Sequence, residues 1–429
     1  MSARSTTIYL ATAALLAGCL SFALLPERSR AADCTRTSLG LTPIDDLGEG
    51  SYQDAQGGLY PGGGNERPSS HEEPGQLLAD AIVPLDASGN PDGSGRYALI
   101  SVGMSNTTQE FQRFVPLASA DPGGDPQLAV VDGAQGGMTA DDWADPSHPA
   151  WGTLDGRLAA AGLTPQQVAI AWVKVADAGP TNGWPAYAQQ LQSEMTAILH
   201  TLTDRYPNLR LAYVSSRIYA GYASTSLNPE PYAYESGFAV KWAIEDQLAG
   251  SPSLNWDPEA GPVESPWLSW GPYLWADGLV PRSDGLTWAC SELASDGTHP
   301  SASGASKVAG LLLDFFKQDS TARLWFNAEN VSERDVSLKL RGGSLTAKGR
   351  VEAVEGGFVG CAQRVPVKIQ RKGSGAWKTV GRDRTSPEGR YRERLKDRPG
   401  SYRAKARKAR AGESDDEICR RASSAIREH

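Results

Sequence analysis

Apolar runs without polar alternation punctuate the N-terminal two thirds of the chain: Tyr97 to Val102, Leu128 to Val131, Val168 to Val173 and Leu209 to Val214. Short runs of this kind, bounded by turn residues, predict strands buried on both faces. Between them the period lengthens. Leu191, Met195, Ile198 and Leu202 share one face of a helix from Tyr187 to Tyr206, closed by Pro207-Asn208. Helices are also predicted over Leu77 to Ala81, Thr108 to Leu117, Gly237 to Leu248 and, closing this region, Leu311 to Phe316. Strands alternating with helices predict an α/β fold, a three-layer sandwich around a parallel sheet. In such a sheet the ligand site lies beyond the carboxyl ends of the strands. Ser105, Gly137, Lys174 and Arg217 all fall at or just past those ends.

From Asn330 the period shortens to two. Val336 to Leu340, Val365 to Ile369, Trp377 to Val380, Tyr391 to Leu395 and Tyr402 to Ala406 predict short strands of a small all-β sandwich. Thr385 to Tyr391 resembles the turn of extracellular immunoglobulin-like repeats. Charge divides the chain at the same place. From Val331 onward there are 25 Lys and Arg against 13 Asp and Glu, a net of +12, whereas the whole chain carries −8. A basic module outside a cell suits attachment to an extracellular surface, and a solvated strand face explains the same charges. No catalytic grouping falls in it, and nothing in the sequence points to nucleic acid.

The N-terminus reads as a targeting segment. Arg4 precedes an apolar run from Ile8 to Leu25, and Ser29-Arg30-Ala31 supplies small residues for cleavage, so residues 1–31 predict a secretory signal. Leu16-Ala17-Gly18-Cys19 also fits a lipoprotein box, which makes a lipid anchor at Cys19 the alternative. Residues 32–329 and 330–429 then form the two mature domains. Four cysteines remain after export, an even number that suits two disulfides in an oxidising compartment. Cys361 and Cys419 lie together in the C-terminal part and most simply pair, leaving Cys34 to pair with Cys290.

The candidate chemistry starts at Gly103-Met104-Ser105-Asn106, where the first buried run breaks on a glycine and presents a serine. A hydroxyl so placed can attack a carbonyl while N–H groups of the next turn receive the negative charge. An ordinary helix start explains the same residues. Asp296-Gly297-Thr298-His299 offers a carboxylate to orient an imidazole just before a helix. Asp145-Pro146-Ser147-His148 repeats that spacing without a comparable apolar helix after it, and stands as the competing pair. Gly136-Gly137 after the second run lets backbone N–H groups approach a ligand, so Gly137 is the candidate for a second oxyanion donor beside Ser105. The five histidines are too scattered to form a metal site, and no cofactor is implied.

In that order along the chain, Gly103-Met104-Ser105-Asn106, Gly136-Gly137 and Asp296-Gly297-Thr298-His299-Pro300 resemble the blocks of the SGNH (GDSL-like) hydrolases. The Gly-x-Ser-Asn form is most similar to the branch with sialate and carbohydrate O-acetylesterases. The resemblance implies a flavodoxin-like three-layer fold and a Ser105–His299–Asp296 triad that cleaves carboxylic, in particular acetyl, esters. It also implies an asparagine at the end of the third strand as oxyanion donor. Aligned by Trp172, that place holds Asp177, which cannot donate unless protonated; Lys174 and Asn182 are the substitutes nearby. Asn106, Arg217 and Trp270 are candidates for the substrate cleft. Trp270 belongs to an aromatic-rich stretch with Trp256, Trp267, Tyr273, Trp275 and Trp288, which reads either as a sugar-stacking surface or as a local core. The expected substrate is a small-molecule or polysaccharide ester. The rival function is a non-catalytic carbohydrate-binding or cell-surface adhesion protein on the same fold.

Overall fold

The computed structural model describes residues 31–429 apart from 329, 333, 342–344, 355–358, 374, 408 and 412–416. The expected signal segment, Cys19 included, lies outside the described residues save for Ala31. Five strands form one wholly parallel sheet: β1 (Tyr97–Gly103), β2 (Leu128–Val131), β3 (Val168–Lys174), β4 (Leu211–Val214) and β5 (Trp267–Trp270). Their order across the sheet is 2-1-3-4-5, the doubly wound arrangement whose topological switch lies between β1 and β3. Every residue of β1 and β3 is buried. That is the reason their sequences do not alternate, because helices cover both faces.

Six longer helices are α1 (Ser69–Asp80), α2 (Ser105–Ala120), α3 (Pro149–Ala160), α4 (Ala186–Arg205), α5 (Tyr232–Leu248) and α6 (Ala302–Gln318). α2 packs on α6 and α4 on α5. Phe111 and Phe114 of α2 reach Trp172 and Phe316, with ring centroids 5.6 and 5.4 Å apart respectively. The helix expected over Leu77 to Ala81 is longer than its apolar signal, because Pro68-Ser69-Ser70 starts it ahead of the first hydrophobic residue. The strand Trp267–Trp270 escapes sequence reading, since its aromatics carry no period of their own. Trp267, Trp270, Trp275 and Trp288 are all buried. These four rings are therefore core and present no open face for stacking on a sugar, whereas Trp256 of the same stretch is only partly buried.

From Asn330 onward the strand pairs are antiparallel, except that Glu417–Cys419 runs parallel to Asn330–Ser332. β6 (Arg334–Val336), β7 (Lys339–Arg341), β8 (Thr346–Ala353) and β11 (Arg390–Arg394) form one sheet; β9 (Pro366–Lys372), β10 (Lys378–Arg384) and β12 (Ser401–Ala406) lie in another. Val336, Val351, Val367, Ile369, Tyr391 and Tyr402 form a core of their own, separate from that of the parallel sheet. The expected strand from Val336 to Leu340 is broken in two, and β8 was not expected. Cys34 is joined to Cys290 and Cys361 to Cys419, with Cα–Cα distances of 5.4 and 5.2 Å, as the cysteine count suggested. Among the described residues no helix is long and apolar enough to cross a membrane.

Candidate active site

The β1–α2 turn fixes the serine. A Cβ on Gly103 would lie 2.1 Å from the Lys174 carbonyl, so only glycine lets β1 end this close to β3. α2 then starts at Ser105 itself, with no side chain capping its first turn. The Ser105 N–H is one of the donors a helix start leaves without an intrahelical acceptor. Ser105 Oγ lies 2.8 Å from His299 Nε2. His299 Nδ1 is 2.6 Å from Asp296 Oδ2. Asp296 Oδ1 accepts the N–H groups of Thr298 and His299 at 3.0 and 3.1 Å. Burial opposes ionisation of Asp296, but these hydrogen bonds, the imidazole's first, outweigh it and hold the carboxyl below its usual range. Both His299 and Asp296 keep 22% of their side-chain surface exposed, so a solute can reach them.

Gly137, beyond β2, lines the same pocket as Ser105. Its φ of +84° is one that only glycine adopts at ease, and a side chain there would meet nothing within 4 Å. No hydrogen bond of its N–H is found among the described residues. Gly137, Met138 and Thr139 line a pocket of about 100 Å³ together with Ser105, Asn106, Asp177, Arg217, Asn228 and His299. On the other side of His299 a wider cavity of about 440 Å³ is lined by Gln109, Gln112, Arg113 and Ala302. Among the described residues no cluster of His, Cys, Asp or Glu is arranged to hold a metal.

Other candidates sit elsewhere. Lys174 is wholly buried, and its ammonium is bound by both oxygens of Glu110, at 2.6 and 2.5 Å. Burial pushes the Glu110 carboxyl up and the Lys174 ammonium down to about 8, each against the attraction of the other. Lys174 is therefore engaged by Glu110 and is not among the residues that line the pocket of Ser105; it neutralises a buried carboxylate of α2. Asp177 lines the pocket, but its carboxyl turns toward α4 and the Asp141 N–H, with Gln190 Nε2 at 3.4 Å and Asp141 N at 3.3 Å. It is no oxyanion donor. Asn182 gives its amide to Gln190 at 3.0 Å, away from Ser105. Trp270 donates to the Leu59 carbonyl at 2.7 Å and lines a separate cavity of about 520 Å³ with Tyr60 and Arg67. It is not part of the serine's cleft.

Asn106 and Arg217 do line the pocket. Asn106 is buried and donates to the Thr298 carbonyl at 3.0 Å, which ties the start of α2 to the histidine loop. Glu110 was missed in the sequence, although the spacing of Thr107, Glu110, Phe111 and Phe114 places it on the apolar face of α2. Asn228 and Tyr187, which hold the Asp177 backbone from below, have no signature a single sequence could show.

No family model matches the chain, and no curated protein does. Solved structures similar to it include a Bacillus subtilis protein, YxiM, at 10% identity and a TM-score of 0.31, over 53% of this chain and 58% of that one. A gut microbial diltiazem-metabolizing enzyme is 15% identical over 81% of this chain and 72% of its own, at a TM-score of 0.30. The periplasmic domain of a lipopolysaccharide acetyltransferase from Salmonella ser. Paratyphi A is 12% identical, over 57% of this chain and 95% of that one, at 0.28. Likeness at this level says nothing of this chain's chemistry.

Proposed function

We propose that the protein is an exported serine esterase that hydrolyses carboxylic esters of short acyl chains, in the manner of the SGNH hydrolases its motifs resemble. One observation carries the reading: the unbroken line from Ser105 Oγ through His299 to Asp296, at 2.8 and 2.6 Å, beside unspent backbone N–H groups. His299 takes the hydroxyl proton as Ser105 attacks the ester carbonyl, and returns it to the departing alcohol. Asp296, kept ionised, holds the imidazole in the tautomer that leaves Nε2 free to accept. The N–H groups of Ser105 and Gly137 receive the oxyanion. A third donor is typically worth roughly 3 kcal/mol of transition-state stabilisation, and with Lys174 and Asp177 both engaged elsewhere this site works without theirs. Water enters for deacylation by the same route with His299 as base. The basic all-β region, residues 330–429, is an immunoglobulin-like attachment module under this reading.

The test is labelling with a fluorophosphonate, which reacts only with an activated serine. Wild-type protein should carry the adduct on Ser105, and Ser105→Ala should carry none. A folded wild-type protein that stays unlabelled would return the fold to the binding or adhesion role.

A further inference from the structure

Arg217 leaves the carboxyl end of β4 and is 1% exposed, yet no carboxylate meets it among the described residues. Nη1 approaches only the Met104 sulfur at 3.9 Å, Nη2 only the Thr298 carbonyl at 3.5 Å, and Nε has no partner. The other buried cations around the parallel sheet are different. Lys174 has Glu110 at 2.5 Å, Lys241 has Glu245 at 2.8 Å, and Arg282 has Asp284 at 2.5 Å and Asp45 at 3.3 Å. Taking a guanidinium out of water costs several kcal/mol; its N–H donors recover little of it, and Glu110, Glu230 and Asp296 offset part of it through space without touching it.

A second unspent group lies in the same pocket. Asn228 is 2% exposed and gives its amide hydrogens to the Asp177 carbonyl and the Tyr187 hydroxyl, at 3.1 and 2.9 Å. That pairing sets which way the amide points, because the flipped form would place two carbonyl oxygens together. Its Oδ1 is left buried without a donor. Arg217 and Asn228 line the pocket that also holds Ser105 and His299.

Resting on the esterase reading, we propose that Arg217 and Asn228 form a recognition subsite for esters that carry a carboxylate and, beside it, a hydroxyl or N–H donor. The carboxylate would take the guanidinium in the two-pronged geometry that suits it, and the donor would meet Asn228 Oδ1. The pocket is about 100 Å³, so the carboxylate belongs within a few bonds of the scissile carbonyl. The wider cavity beyond His299 holds the other half of the ester.

The carboxylate can belong to the acyl part or to the alcohol, and matched pairs separate the two. Mono-p-nitrophenyl succinate is compared with p-nitrophenyl acetate, and O-acetyl-lactate with ethyl acetate. Wild-type protein should favour the charged member of one pair by about tenfold or more in kcat/KM, and Arg217→Gln should erase that preference. Arg217→Lys, which keeps the charge and loses the fork, should retain only part of it. A preference absent from both pairs, or one that survives Arg217→Gln, overturns the subsite. Failure of the esterase reading looks different: none of the four esters is turned over. Calorimetry with succinate and with lactate on the folded protein then decides. Binding that disappears in Arg217→Gln keeps the subsite, and no binding removes it.

Discussion

Two segments of this chain read Asp-x-x-His-Pro, and they fold to different ends. Asp296 and Asp145 begin alike, each Oδ1 accepting the N–H two residues on, at 3.0 Å from Thr298 and 2.8 Å from Ser147. They part at the histidine. His299 brings both its N–H and its ring to the carboxylate, leaving Nε2 for Ser105. His148 sends its N–H to the Asp145 carbonyl at 3.0 Å, and its ring caps α3 by accepting the Ala150 N–H at 3.3 Å. The cause is where the next helix starts. α3 begins at Pro149, so His148 is the N-cap; its Nδ1 is spent there, and its Nε2 lies 3.4 Å from Asp142 Oδ1. α6 begins at Ala302, so Ser301 takes the capping role and His299 stays free.

The sharpest way to break this comparison is to remove each histidine in turn. His299→Ala and Ser105→Ala should each lower kcat on p-nitrophenyl acetate by about 10⁴-fold or more, the loss typical of such triads. His148→Ala should leave kcat within about twofold and cost roughly 1 kcal/mol of stability through the lost cap. Asp296→Asn keeps the shape but permits the wrong tautomer, and a loss of about 10⁴-fold is expected there too. Asp145→Asn should change turnover little. Equal effects at the two segments, measured by steady-state kinetics on proteins with matched thermal midpoints, would end the distinction.

The same two segments show what the sequence can reveal. Alternation of buried strands and amphipathic helices makes the layered fold legible, because burial on both faces writes itself into unbroken apolar runs such as Val168 to Val173. The serine turn is legible for the same reason: a glycine where β1 meets β3 and a polar residue at the strand end. What stayed hidden depends on direction. Lys174 and Asp177 lie at a strand end where a site residue belongs, yet Glu110 and α4 claim their side chains. Residue type and spacing do not encode which way a side chain turns. β5 stayed hidden because Trp267 to Trp270 packs as core on both sides, and an aromatic-rich stretch has no periodicity to betray it.

A second comparison lies in the interior, between a buried cation with its carboxylate and one without. Glu110→Gln would leave the Lys174 ammonium in the interior without a counter-charge, and a loss of about 3–5 kcal/mol is expected in urea unfolding at pH 7. Lys174 already has its pKa lowered to about 8 by burial. A folded-state value below the unfolded one means that protons leave on folding, so this lysine's penalty is relieved as pH rises from about 8 toward its unfolded value. The variant lacks the attraction that holds the proton, and its deficit should therefore shrink between pH 7 and pH 10. A deficit below about 1 kcal/mol at pH 7 would mean that the pair contributes little beyond its own desolvation.

The smallest effect expected concerns the carboxyl pair where the sequence suggested an oxyanion donor. Burial and the neighbouring Asp177 raise Glu194 to about 8, and burial raises Asp177 as well. Glu194 Oε2 is buried without a hydrogen-bond donor, as expected where two acids meet and a proton between them is needed. An acid whose folded pKa exceeds its unfolded one binds more protons in the native state. Stability contributed by that proton is complete at low pH and is lost as pH climbs through the window that ends near 8. Glu194→Gln supplies a permanent donor and removes this dependence. The thermal midpoint of the variant, relative to wild type, should therefore rise steadily from pH 5 to pH 8 and level off above. Turnover at Ser105 should change little, because the Asp177 carboxyl faces α4 and not the serine. A midpoint difference that is flat with pH would show that the two carboxyls share no proton, and a large fall in kcat would place Asp177 back among the groups that serve the oxyanion.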